Sequence, residues 1–114
     1  MSVLVVGISH NSAPVSLLER VAPDSDGVPK LVQKAAASEH VTEATVIATC
    51  NRVEIYAEVD RFHGSVEELS MLLVERAGGS TEAMLPHLEV DGGLTLAQAY
   101  RAREATALEL QGPS

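Results

Sequence analysis

The stretch Ala44-Thr45-Val46-Ile47-Ala48-Thr49-Cys50-Asn51-Arg52-Val53-Glu54-Ile55-Tyr56-Ala57-Glu58-Val59 decides the fold. It is rich in residues that suit a pleated, half-buried surface. In its first half Val46, Ala48 and Cys50 occupy even positions. In its second half the apolar set Val53, Ile55, Ala57 and Val59 is odd-numbered, with Glu54 and Glu58 facing away. Side chains switch faces at every residue of a strand, so one continuous strand would expose one of these two sets. The change of phase predicts a tight turn or a bulge at Asn51-Arg52, with a strand on either side. It also puts Cys50 at the end of a strand, on a backbone irregularity that suits a presented side chain better than a packed one.

Working outward, Val3-Leu4-Val5-Val6, closed by Gly7, reads as a buried first strand. Ser9 to Pro14 is a polar loop. Val15 to Val21 is expected to make a short helical turn with Ser16 as its cap and Glu19 as the capping-box acid. A helix is expected from near Pro29 to about Ser38, with Leu31, Ala35, Val32 and Ala36 along its apolar stripe. Ser65 is expected to cap a further helix, with Glu67 and Glu68 in its first turn. Leu69, Leu72 and Leu73 carry that stripe to Gly78-Gly79, a stop signal. His87 to Val90 supplies a last short strand before Asp91-Gly92-Gly93. The order β-α-β-β-α-β predicts an α+β, ferredoxin-like fold: an antiparallel sheet with helices on one face. Residues 1–90 are expected to form this domain, and residues 91–114, rich in Ala, Glu, Arg and Leu, an unrelated tail that is either helical or frayed.

Composition narrows the function classes. The 114 residues are 46% hydrophobic and 21% charged, which is globular rather than disordered. A single cysteine excludes an intramolecular disulfide. No apolar run approaches the roughly 20 residues of a membrane span, and Met1-Ser2-Val3 does not begin a secretory signal, so a cytoplasmic protein without a membrane partner is expected. Sixteen acidic against eight basic residues give a net charge of −8, which opposes indiscriminate binding to phosphate polymers. Tyr56, Phe62 and Tyr100 are too few aromatics for a base-stacking platform.

The chemistry-bearing residues concentrate at the phase break. A free cysteine is commonly a small buried apolar side chain. Here Thr49, Asn51 and Arg52 put a hydroxyl, an amide and a guanidinium beside Cys50 in the chain, and a nearby guanidinium favours the thiolate. Arg52 offers a planar fork that suits a carboxylate ligand; its alternative is a turn residue paired with Glu54 or solvated. His10, His40, His63 and His87 show no metal-ligand spacing, so no metal is expected. The sequence contains no GxGxxG and no phosphate loop, hence no nucleotide-binding apparatus.

Gly7-Ile8-Ser9-His10-Asn11-Ser12-Ala13-Pro14-Val15, followed by Leu18-Glu19-Arg20, and Ala48-Thr49-Cys50-Asn51-Arg52-Val53-Glu54-Ile55-Tyr56 together resemble the N-terminal catalytic domain of the glutamyl-tRNA reductase family. The resemblance covers about the first three quarters of the chain. It implies a ferredoxin-like catalytic domain in which Cys50 attacks the ester of glutamyl-tRNA, forming a thioester that NADPH reduces to glutamate-1-semialdehyde, a precursor of tetrapyrroles. Thr49, Asn51 and Arg52 are then expected to line the glutamyl pocket, with Arg52 on the side-chain carboxylate. The family continues into a segment that bears a catalytic histidine, an NADPH domain and a homodimerisation domain. His87-Leu88-Glu89 echoes that segment faintly and lies too near Cys50, so the histidine's role is not carried onto His87. Beyond about Glu89 the sequence departs from the family, and a truncated chain inactive alone as a reductase is expected. The alternative is a non-catalytic ferredoxin-like module that binds a small acidic ligand or a partner protein.

Overall fold

Ser2–Ser9 forms an eight-residue strand, β1, that extends the apolar run Val3–Val6 through Gly7 and Ile8. The structure, a computed structural model, describes residues 2–22, 27–49, 51–79 and 81–94. After β1 come α1 (Val15–Val21), α2 (Gly27–Ala36), β2 (Val41–Ala48), β3 (Arg52–Val59), α3 (Phe62–Ala77), α4 (Thr81–Met84), a 3-10 turn (Leu85–His87) and β4 (Glu89–Leu94). The sheet has four strands in the order β2-β3-β1-β4, with every neighbouring pair antiparallel. Each helical crossover skips one strand, β1 to β2 over β3 and β3 to β4 over β1. Two interleaved βαβ units of this kind make the ferredoxin-like plan, as the element order predicted.

The predicted change of phase is a hairpin. Ala44 pairs with Ala57, Val46 with Ile55 and Ala48 with Val53, so the even residues of β2 share a face with the odd residues of β3. On that face Leu4, Val6, Ile8, Val53, Ile55, Ala57 and Val59 are buried under Leu18 and Val21 of α1, Leu31 and Ala35 of α2, and Leu69, Leu73, Val74 and Ala77 of α3. A register shift between Val41 and Glu43 returns Val41 to the same face, where it is buried opposite Val59. The helices lie on this one side. The last strand runs over 89–94 rather than 87–90, because His87 belongs to the 3-10 turn.

Helix starts differ from the capping rules. Pro14 precedes α1 with no side-chain cap, so Ser16 lies inside the helix. Residue α3 begins at Phe62, and Ser65 is a buried residue one turn inside it, donating its hydroxyl to Arg61 O at 2.6 Å. A serine hydroxyl that bonds the carbonyl four residues back satisfies itself within the helix and caps nothing. The earlier start is a tertiary effect, since the Phe62 ring lies directly against the bare Cα of Gly92 in β4. The stop is as predicted: Gly78 takes φ 68°, a left-handed conformation natural to glycine, and its N–H reaches Val74 O and Glu75 O at 3.2 Å.

Helices α1 and α3 clasp each other's C-termini. Arg20, in the last turn of α1, donates to Ala77 O at the end of α3. Arg76, in the last turn of α3, donates Nε to Val21 O at the end of α1 at 2.9 Å. Each guanidinium meets a carbonyl that its own helix leaves without an internal donor, at the negative end of the dipole. Arg20→Met is expected to lower stability by about 1 kcal/mol, read as a lower urea midpoint at unchanged slope; an unchanged midpoint would rule the clasp out as a stabilising contact.

Candidate functional site

The hairpin between β2 and β3 is closed by side chain and backbone together. The Thr49 N–H donates to Arg52 O at 2.8 Å. The Thr49 hydroxyl accepts from the Asn51 N–H at 3.0 Å and from the Arg52 N–H at 3.2 Å. A hydroxyl has two lone pairs and one proton, so Thr49 Oγ1 is left with a proton to give outward. Asn51 O in turn accepts the His10 N–H at 2.8 Å, which ties the hairpin to the loop after β1.

Three connections meet at this end of the sheet. The loop after β1 is self-bonded: Ser12 N–H and Ala13 N–H both donate to Ser9 O at 3.0 Å, and Asn11 N–H donates to Ser9 Oγ at 3.2 Å. His87, just before β4, lies with Nδ1 2.9 Å from Ser12 O and pins the third connection to that loop. His10 is exposed beside it. His40 stands at the far end of the sheet, 3.0 Å from Asp60, and takes no part.

The face of the sheet away from the helices is polar next to the hairpin. Arg52, Glu54 and Tyr56 project from it at alternate positions of β3. Arg52 Nη1 lies 3.6 Å from Glu54 Oε1, each side chain only 14% exposed. The Tyr56 hydroxyl donates to the same Glu54 oxygen at 3.4 Å. Gly7 sits opposite Glu54 on one side and Glu89 on the other. A Cβ there would stand 2.7 Å from Val53 O and 2.8 Å from Glu54 Cγ, so the missing side chain is what lets Glu54 lie across β1. Ser9, buried and opposite Arg52, donates its hydroxyl to Glu89 Oε1 at 2.6 Å.

Burial pushes the Glu54 carboxyl above its ordinary value of 4.5; Arg52 and the Tyr56 hydroxyl oppose the shift, and the Glu89 charge adds to it. Desolvation outweighs the attraction of the Arg52 guanidinium, as expected for a carboxylate held off water.

The structure thus brings Thr49, Asn51 and Arg52 together at one turn. Cys50 lies outside the described residues. Sequence reasoning named Glu54 only as an alternative partner for Arg52, which is the pairing the structure shows, and it missed Gly7, Ser9 and Glu89 as members of the same cluster. One signal was present: a glycine inside an apolar strand marks a close approach of neighbouring groups. Among the described residues no group of three or more His, Asp or Glu converges as a metal site, and no helix is long and apolar enough to cross a membrane.

An antiparallel split βαβ domain with an arginine-bearing hairpin beside a single cysteine is the class that fold and site define. A family model described as "Glutamyl-tRNAGlu reductase, N-terminal domain" matches residues 6–106. The chain belongs to that family. Glutamyl-tRNA reductase 1 of Nocardioides sp. is 77% identical over 90 residues, 79% of this chain and 21% of that protein. Glutamyl-tRNA reductase of Streptomyces avermitilis is 54% identical over 90 residues, 79% of this chain and 16% of that one. Among solved structures, glutamyl-tRNA reductase from Methanopyrus kandleri superposes with a TM-score of 0.51 at 34% identity, covering 62% of this chain and 16% of that one. The chain therefore spans about a fifth or less of the length of the relatives it matches.

Two outcomes test the cluster. The folded chain holds a proton on Glu54 that the unfolded chain releases as pH climbs from 4.5 toward the raised value, so stability attributable to Glu54 falls across that window. The unfolding free energy of wild type relative to Glu54→Gln is therefore expected to decline as pH rises above 4.5 in urea titrations; a flat or rising difference contradicts the assignment. Gly7→Ala is expected to cost about 1–3 kcal/mol by overpacking against Val53 O, and a neutral effect in the same assay would show that the strands can part at no cost.

Proposed function

We propose that this chain is the acyl-accepting domain of a glutamyl-tRNA reductase, serving tetrapyrrole synthesis in the cytoplasm. The Cys50 sulfur, as thiolate, attacks the ester carbonyl of glutamyl-tRNA. A carbon–sulfur bond forms, the ester carbon–oxygen bond breaks, and the tRNA oxygen leaves with a proton, giving an enzyme thioester. Arg52 receives the side-chain carboxylate of the glutamyl group through its fork of N–H donors. The Thr49 hydroxyl proton and the Asn51 amide line the pocket beside it. A site organised around one charged contact rejects neutral analogues strongly, because they leave that contact unpaired.

The observation that carries this reading is the closed Thr49–Arg52 hairpin, with the Arg52 guanidinium braced by Glu54 two residues from the only thiol in the chain. A guanidinium fixed on a turn is an ordered partner, and ordering the site beforehand lowers the cost of binding. The family match and the printed names of the relatives supply the substrate class.

Reduction of the thioester to glutamate-1-semialdehyde takes a hydride, which the family resemblance assigns to NADPH. The described residues do not fit that cofactor. The loop after β1 spends its His10, Asn11, Ser12 and Ala13 amides on Asn51 O, Ser9 Oγ and Ser9 O, leaving no cradle for a pyrophosphate. The space at Gly7 is filled by Glu54. The chemistry derived for these residues accordingly ends at the thioester; reduction and homodimer formation are what the family resemblance implies for its full-length members.

Incubation with glutamyl-tRNA radiolabelled in the glutamyl group is expected to leave label on the wild-type chain through denaturation, released by hydroxylamine, and none on Cys50→Ser. Absence of label from wild type would overturn the catalytic reading in favour of a module that binds a small acid or a partner protein at Arg52.

A further inference from the structure

Between α2 and α3 runs an open groove of about 210 Å³, lined by Lys30, Leu31, Lys34, Leu72, Glu75 and Arg76. Lys30 and Lys34 are the only lysines of the chain, and with Arg76 they make three of its eight basic residues. The concentration is notable in a protein of net charge −8. Four residues apart on a helix, the two lysines stand one turn above the other on a single face. Arg76 is held at the opposite wall by the bond from its Nε to Val21 O. Leu31 is buried beneath the groove, and Leu72 is partly buried against the same core. The floor is therefore part of the packed core, and the three cations stand along its rim.

We infer that this groove seats the sugar-phosphate backbone of the tRNA, an inference that rests on the proposed glutamyl-tRNA substrate. Helix α2 leads down the sheet into the start of β2, so its first turns lie toward the hairpin end. Helix α3 climbs from the end of β3, so Glu75 and Arg76 lie toward that end too. Of the groove's charged residues, Lys30 on α2 and Glu75 and Arg76 on α3 thus lie on the helix side toward the end where Thr49 and Arg52 turn, with Lys34 further along α2. The other face of the sheet carries Glu58, Glu89 and Asp91, which repel a polyanion. A duplex or strand approaching this protein is turned by the field toward the helix side, where the only two lysines await it. Two or three phosphate contacts of this kind position a polymer without reading its sequence. Glu75 stands among the cations and holds their affinity down, so the groove grips the backbone weakly enough for the tRNA to leave once its acyl group is gone.

The test is fluorescence anisotropy of end-labelled, uncharged tRNAGlu with the full 114-residue chain at several salt concentrations. Lys30→Gln/Lys34→Gln is expected to weaken binding about tenfold at about 50 mM salt and to reduce the log–log salt slope by about two. Glu75→Gln is expected to tighten binding about threefold, a gain that misfolding cannot imitate. Unaltered affinity in the lysine variant, no binding by wild type, or displacement of the tRNA by an equal charge of polyglutamate would each overturn the inference. The last result would assign the groove to an acidic polypeptide. A small glutamyl ester with labelled acyl group separates this inference from the proposal for Cys50. Labelling of both wild type and Lys30→Gln/Lys34→Gln, with tRNA affinity unaltered, refutes the groove alone; lysine-dependent tRNA binding without labelling refutes the nucleophile alone.

Discussion

Eight consecutive residue pairs join β1 to β3, from Ser2 with Val59 to Ser9 with Arg52, without a break in register. Everything else in the domain is hung on that ladder. Strict alternation along it sends Leu4, Val6 and Ile8 to the same side as Val53, Ile55, Ala57 and Val59, where the helices cover them. The same alternation leaves Gly7 and Ser9 beside Glu54 and Arg52 on the other side. A slip by one residue would exchange the two sets and bury Arg52 and Glu54 under the helices. The apolar core therefore fixes, through the register alone, which polar groups are brought together next to the hairpin.

Those polar groups are poorly explained as stabilising elements. Glu54 is held off water strongly enough that its proton is retained above the ordinary range even with a guanidinium at 3.6 Å. Half-buried ion pairs of this geometry return little of their desolvation cost, and an apolar pair at positions 52 and 54 would serve the sheet at least as well. Their arrangement makes sense as a mount: a turn locked by Thr49, a guanidinium steadied by one acid, and a tyrosine hydroxyl steadying that acid in turn. The proposed acyl transfer uses this mount and needs nothing from the distant His40–Asp60 pair.

The sheet plan was legible because the parity switch around Cys50 forbids one continuous strand; of the tight turn and the bulge that it allows, the structure has the turn of a hairpin. Gly78 as a helix stop was legible for the same kind of reason, since a left-handed residue ends the helix whatever packs nearby. The helix starts were not. Ser16 and Ser65 satisfy the local capping pattern, but Pro14 and the packing of Phe62 on Gly92 decide where α1 and α3 begin. The polar cluster was half legible. Arg52 was singled out by its place beside the thiol, whereas Glu89 joins through a pairing across the whole chain that no local window contains. The Lys30–Lys34 groove was invisible for the same reason, because its other wall lies some forty residues away on α3.

Among the described residues, the two outer strands of the sheet, β2 and β4, leave one backbone edge each without a neighbouring strand. β2 presents Thr42, Glu43 and Thr45 as exposed residues, and β4 presents Glu89 and Asp91. Two molecules meeting rim to rim would have to bring carboxylates of like sign into register before any inter-chain hydrogen bond could form. That electrostatic repulsion protects the domain from growing into fibres through its own sheet.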